Sequence, residues 1–175
     1  MNRAALLALA MALAVPAAAD IFIVRHAEKK NPKDDKSLLS PSGFKRADDL
    51  KRVFSSVDLK AVYRTEYERT AQTGVPTAAA HNLSPIETKS DDVKGLAVIL
   101  KARPPSEDVL VVGHSDTIPD LLTELGVSTR AAIAPGDYDN LFIVGRREGA
   151  DPVFHWLHYG DVPAASPSDA MKRKP

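Results

Sequence analysis

The 175-residue sequence contains no cysteine. That excludes disulfides, thiol nucleophiles and cysteine-ligated zinc or iron–sulfur centres, and it leaves packing alone to stabilise the fold. Excess charge is missing as well, because 23 Lys and Arg balance 23 Asp and Glu. No overall field therefore recommends nucleic acid or an anionic membrane as a partner, and any affinity for anions must come from a local cluster. Internal repeats and interdomain linkers are absent too, so a chain of this length fits one compact domain with a real core. The longest apolar run, Ala4 to Val15, falls short of the roughly 20 residues needed to span a bilayer.

That run follows Arg3 and precedes Ala17-Ala18-Ala19, the pattern of a secretory signal with a small-residue cleavage site. Residues 1–19 are therefore expected to be a signal peptide, with Asp20 as the mature N-terminus and a periplasmic or secreted product that has no stable membrane insertion. The expected domain is 20–160. Beyond it, residues 161–175 carry proline, alanine and lysine without periodicity and read as a flexible tail.

Between these ends, strand and helix patterns alternate. Ile21-Phe22-Ile23-Val24 and Val109-Leu110-Val111-Val112 are short continuous apolar runs, as expected of strands covered on both faces. Leu59–Arg64 and Ser84–Thr88 are weaker strand patterns. Ser40-Pro41 supplies an N-cap and a first-turn proline, and Phe44, Ala47, Leu50 and Phe54 then recur at helical spacing. Further helices are expected over 67–80, capped by Thr65 and bent at Pro76, after Asp91-Asp92, and from Pro119 to a stop at Gly126. Leu141–Val144 and Val153–Leu157 suggest a closing antiparallel pair, with Trp156 in the core. The expected fold is α/β, a three-layer sandwich with a mostly parallel central sheet and antiparallel edge strands.

In such sheets, ligands bind beyond the carboxyl ends of the strands. Arg25-His26 and Gly113-His114 each leave an apolar strand at that edge, and Arg69 opens a helix there. Guanidinium forks suit phosphoryl oxygens, Gly113 would let backbone approach an anion, and a neutral imidazole can attack phosphorus. One histidine can attack while a protonated second one stabilises charge. Arg64, Glu66 and Glu68 read as a solvated rim, and His81, His155 and His158 as surface or packing residues. Lys29, Lys30 and Lys33 hint at an anionic substrate, although a lysine run on a loop is usually just solvated.

Val24-Arg25-His26-Ala27-Glu28 resembles the arginine-histidine-glycine signature of the histidine phosphatase superfamily, the phosphoglycerate mutase-like clan, with alanine in place of the glycine. Arg64-Thr65-Glu66-Tyr67-Glu68-Arg69-Thr70-Ala71-Gln72-Thr73 resembles its second segment, Val111–Thr117 the third, and Leu39–Gly43 the turn that opens the first helix. The resemblance spans Ile21 to about Tyr159. It implies a phosphoglycerate mutase-like fold and a phosphatase in which His26 becomes phosphorylated. Arg25, Arg69 and His114 would form the phosphate pocket, assisted by Gly113 and Ser115, and no metal or cofactor would be needed. The partner would be a small phosphorylated substrate or phosphate. For the general acid, Asp116 is the first candidate, weighed evenly against an N-cap role for the helix at Pro119; Glu28 follows and Glu87 is a distant third. Two other functions compete, a non-catalytic phosphate-recognising module and, more weakly, a phosphomutase. Oligomeric state and the physiological substrate leave no mark in the sequence.

Overall fold

The computed structural model describes residues 19–128, 131–147 and 149–163. The expected signal segment, apart from Ala19, and the tail beyond residue 163 lie outside the described residues.

Ten elements follow in order: β1 (Asp20–Arg25), α1 (Pro41–Val53), β2 (Leu59–Thr65), α2 (Glu68–Ala80), β3 (Ile86–Thr88), α3 (Val93–Ala102), β4 (Asp108–Gly113), α4 (Ile118–Glu124), β5 (Asn140–Gly145) and β6 (Val153–His158). The strands form one sheet in the order β3-β2-β4-β1-β5-β6. The β3, β2, β4 and β1 strands run parallel, while β5 is antiparallel to both β1 and β6.

The two apolar runs become the central pair β1 and β4, with Ile23 opposite Val111 and Arg25 opposite Gly113. Alternation along each strand divides the core into two layers. Ile21, Ile23, Val109 and Val111 pack with Leu96, Leu100, Leu121 and Leu122 of α3 and α4. Phe22, Val24, Leu110 and Val112 pack on the opposite face with Leu50 of α1, Phe54 and Ala78 of α2. This is the expected three-layer α/β sandwich.

Ser40 caps α1 by accepting a hydrogen bond from the Gly43 amide at 3.1 Å. Gly43 is required where α1 meets the segment leaving β1, since a Cβ there would lie 2.3 Å from the Glu28 carbonyl oxygen. The α2 helix continues through Pro76.

Three expectations change. Thr65 ends β2 instead of capping α2, whose N-cap is Tyr67. The N-cap of α4 is Thr117 and not Asp116, because the turn after β4 takes up residues 115–117. Trp156 lies on the outermost strand and is 41% exposed, so it is not core. Its indole rests on Phe142 at 5.2 Å between ring centres and donates from Nε1 to Asn140 Oδ1 at 2.8 Å.

Candidate active site

The parallel strands β1, β2 and β4 are neighbours, so their carboxyl ends deliver Arg25-His26, Thr65 and Gly113-His114 to one place. A backbone bond from the His26 amide to the Gly113 carbonyl, 2.9 Å, ties the first and third of these together. The His26 and His114 ring centres lie 5.4 Å apart. Arg69, in the first turn of α2, reaches the same point, with Nη2 3.3 Å from His114 Nδ1. Arg25, His26, Arg69 and His114 are all buried. The four principal site residues expected from the sequence therefore converge.

Hydrogen bonding fixes the protonation of both imidazoles. His26 Nδ1 lies 2.8 Å from the Ala27 carbonyl, which can only accept, so the proton sits on Nδ1 and Nε2 keeps its lone pair. The Ala27 amide is itself held by Thr73 Oγ1 at 2.9 Å. His114 has the opposite tautomer. An arginine can only donate, so Nδ1 accepts from Arg69, and Nε2–H donates to Thr65 Oγ1 at 2.8 Å. Thr65 Oγ1 pairs in turn with Thr70 Oγ1, whose own proton reaches the Tyr67 carbonyl at 2.7 Å.

Both imidazoles are held neutral. Burial is the main cause at His26 and outweighs the bond to Ala27; the nearby charges of Arg25, His114 and Arg69 add to it, and the pKa falls to about 3. At His114, burial and then the Arg69 charge outweigh Asp116 and Glu66, giving a pKa of about 4. The expected protonated His114 is thus corrected: before an anion arrives it is a neutral, doubly hydrogen-bonded ring. Positive charge in the pocket comes from the two arginines.

Each arginine is braced from below by a tyrosine that the sequence reading did not single out. The Arg25 guanidinium lies 4.2 Å above the Tyr138 ring, and its Nη1 donates to the carbonyls of Ala134, Pro135 and Asp137 at 3.0, 2.9 and 3.2 Å. Arg69 lies 4.1 Å above Tyr67, and its Nη1 donates to the Asp35 carbonyl. In both guanidinium groups Nε–H is buried and has no protein acceptor. Buried donors are nearly always satisfied, so two such groups beside a pair of neutral histidines suit the oxygens of a bound anion. Tyr67 could have been noticed two residues before Arg69; Tyr138, far along the chain, carried no local signal.

A cavity of about 280 Å³ opens at Arg69 and His114 and is also lined by Asp35, Tyr67, Ser90, Asp91, Asp116 and Thr117. Asp116 is exposed on this rim, and its N-cap role has passed to Thr117. Glu28 turns the other way. Its carboxylate makes a forked pair with the buried Arg46, 2.7 Å at the shortest, and Arg46 also donates to the Tyr159 and Asp161 carbonyls. The carboxylate therefore clamps α1 to the segment after β6, and Glu28 is corrected from candidate acid to structural anchor. Glu87 is likewise engaged, by Arg64 at 2.8 Å.

Gly113 is corrected as well. It is paired within the sheet, and a Cβ there would meet Ile118 at 3.3 Å, so its smallness serves the packing of α4. Ser115 is half-buried in the turn and does not line the cavity. Among the described residues, no group of three or more His, Asp or Glu side chains is placed to hold a metal ion.

Fold and site together define a phosphate-handling α/β protein with paired histidines. Residues 21–91 match the family model described as histidine phosphatase superfamily (branch 1). The match covers less than half of the chain, and the third motif, around His114, lies beyond the matched segment. A comparison with curated protein sequences gave no match.

Solved structures share the fold. The protein histidine phosphatase SixA complexed with tungstate is 20% identical, covers 80% of this chain and 96% of its own, and superposes with a TM-score of 0.67. A protein from Nakamurella multipartitia assigned as a phosphohistidine phosphatase SixA is 21% identical, covers 84% of this chain and 97% of its own, and superposes with a TM-score of 0.59. A mycobacterial glucosyl-3-phosphoglycerate phosphatase is 12% identical over 81% and 98%, with a TM-score of 0.63. At these identities the likeness establishes the fold.

Proposed function

We propose that the protein is a metal-independent phosphatase that hydrolyses phosphate monoesters through a phosphohistidine on His26. The observation that carries this reading is the fixed tautomer of His26: Nδ1 is committed to the Ala27 carbonyl, and the nucleophilic Nε2 belongs to a neutral ring at working pH.

Arg25 and Arg69 hold the equatorial oxygens, using the Nε–H groups that no protein atom accepts. His26 Nε2 attacks phosphorus as the P–O ester bond breaks, and the departing oxygen takes a proton from Asp116. Asp116, then ionised, removes a proton from water that attacks the phosphohistidine. Phosphate leaves, and His26 and Asp116 return to their starting states. A dianion beside His114 favours its protonation, which would supply further positive charge once substrate is bound.

Purified protein should release phosphate from p-nitrophenyl phosphate in the presence of a chelator, and His26→Ala should abolish release. Rapid quench with labelled substrate should trap acid-labile phosphate on His26. Equal inactivity of wild type and variant across a broad ester panel, with phosphate still bound, would replace this reading by the binding module. No observation specifically favours a mutase.

Export remains part of the proposal and rests on Arg3, the apolar run and the alanine triplet. Ala19 Nα–H donates to the Pro105 carbonyl at 2.8 Å, and Asp20 Nα–H donates to Asp108 Oδ1 at 2.7 Å. Cleavage after Ala19 would remove the first bond and turn the second into a charged one. N-terminal sequencing of the exported form would identify the cut.

A further inference from the structure

The cavity that opens at Arg69 and His114 carries exposed aspartates on its rim. Arg69 and His114 close the inner end of the 280 Å³ cavity, and the buried, unpartnered Nε–H of Arg69 marks that end for an anion. The same cavity is also lined by Asp35, Asp91 and Asp116. Asp35 is partly neutralised by Lys29, whose Nζ stands 3.8 Å away. Asp91 and Asp116 have no salt-bridge partner among the described residues, and both are exposed to whatever enters. Asp91 also lines an adjoining cavity of about 340 Å³ with Asp92, Asp120 and Glu124, opposed there by Lys94 alone. The negative potential thus extends outward from the phosphate end.

Lys29 of the loop after β1 is engaged close to its own backbone. Lys29 has a nearly buried side chain and donates to the Asp34 carbonyl at 3.0 Å, so it is spent on its own loop. The anionic substrate hinted at by Lys29, Lys30 and Lys33 is therefore not what this rim favours. An anionic leaving group would be repelled by the Asp91 carboxylate, whereas a cationic one would be attracted by it; Asp116 holds the proton for the leaving oxygen and adds no charge until that proton has left.

We propose that the substrate is a phosphate monoester whose leaving group carries a cationic nitrogen, as in the phosphate esters of amino alcohols or amino sugars, with the ammonium seated beside Asp91. This rests on the phosphatase reading above. The reaction is the same ester hydrolysis: the P–O bond breaks, the alcohol oxygen takes its proton from Asp116, and the ammonium group stays unchanged beside Asp91.

The test compares kcat/KM for phosphoethanolamine with that for the neutral analogue ethylene glycol monophosphate, and for 3-phosphoglycerate as the anionic case. The Asp91 carboxylate should contribute about threefold across solvent, so the ammonium ester should lead by about threefold at low ionic strength. The 3-phosphoglycerate value should be the lowest of the three. Asp91→Asn should reduce the preference about threefold, Asp91→Lys should invert it, and about 0.5 M NaCl should largely erase it.

Equal kcat/KM for the ammonium and neutral esters would overturn the proposal, as would a preference that Asp91→Lys leaves intact. A preference for Lys-flanked over Glu-flanked phosphopeptides, with none among the small esters, would overturn it in favour of a basic protein partner. Turnover of p-nitrophenyl phosphate separates the two levels: if wild type hydrolyses it but shows no ester preference, the phosphatase reading stands and the present inference fails. If wild type turns nothing over, calorimetric affinities for the same two esters read the same ratio.

Discussion

Replacing Thr65 by valine removes one hydroxyl from the centre of the site while keeping the side-chain shape. The hydroxyl is the acceptor for His114 Nε2–H at 2.8 Å and the partner of Thr70 Oγ1 at 3.0 Å, and Thr65 is 5% exposed, so water is poorly placed to substitute. Leaving a buried donor unsatisfied costs about 1–3 kcal/mol. For a domain of this size, that lowers the melting temperature by roughly 3 to 10 °C. The more diagnostic effect is on the His114 ring. In the wild type, Arg69 and Thr65 together dictate the Nε2–H tautomer; with valine only the Arg69 contact remains, and the ring gains freedom to reorient.

Nitrogen-15 NMR of histidine-labelled protein distinguishes the tautomers directly. Wild type should show His26 as Nδ1–H and His114 as Nε2–H, while Thr65→Val should broaden or shift the His114 signals and leave those of His26 in place. Thr65→Ser should restore both tautomer and stability. A wild-type His114 protonated on Nδ1, or a valine variant with unchanged melting and unchanged His114 signals, would refute the reasoning.

Three further outcomes follow from the same geometry. Because His26 and His114 have folded-state pKa values of about 3 and 4, below the ordinary value near 6.5, the unfolded chain binds more protons in acid. Their contribution is fully present above pH 6.5 and is lost progressively as pH falls through about 4 for His114 and about 3 for His26, so urea midpoints should drop by the equivalent of a few kcal/mol over that interval, and His26→Ala should flatten the decline. Glu28→Ala strands the buried Arg46 and should destabilise by about 3 kcal/mol, while kcat of the folded fraction stays within about threefold; a large loss of kcat at full folding would return Glu28 to the chemistry. Tyr138→Leu removes the aromatic support under Arg25 and should weaken vanadate inhibition by roughly 3 to 30-fold, with Tyr138→Phe close to wild type.

The fold was readable because its strongest signals are local. Two apolar runs of four residues could only be buried central strands, and Ser40-Pro41 with its helical spacing could only open a helix. Trp156 was misjudged for the converse reason: an aromatic residue in a strand pattern looks the same on a central strand and on the edge, and only the strand order places β6 outermost. The Asp116 cap was misjudged by one position, because the turn after β4 is one residue longer than the spacing to Pro119 suggested.

By itself, the absence of cysteine and of net charge excluded whole chemistries, and the motifs around His26, Arg69 and His114 pointed to residues that converge in the fold, since residue type at a strand end is a property of the chain. Protonation and division of labour were decided by tertiary structure. Which imidazole nitrogen bears the proton depends on Ala27, Thr65 and Arg69 standing at particular distances, and both pKa depressions come from burial that no local pattern encodes. Tyr138 beneath Arg25, Arg46 holding Glu28, and the acidic rim of Asp91 and Asp116 join residues far apart in sequence. Only the assembled sheet and its helices bring them within reach of one another.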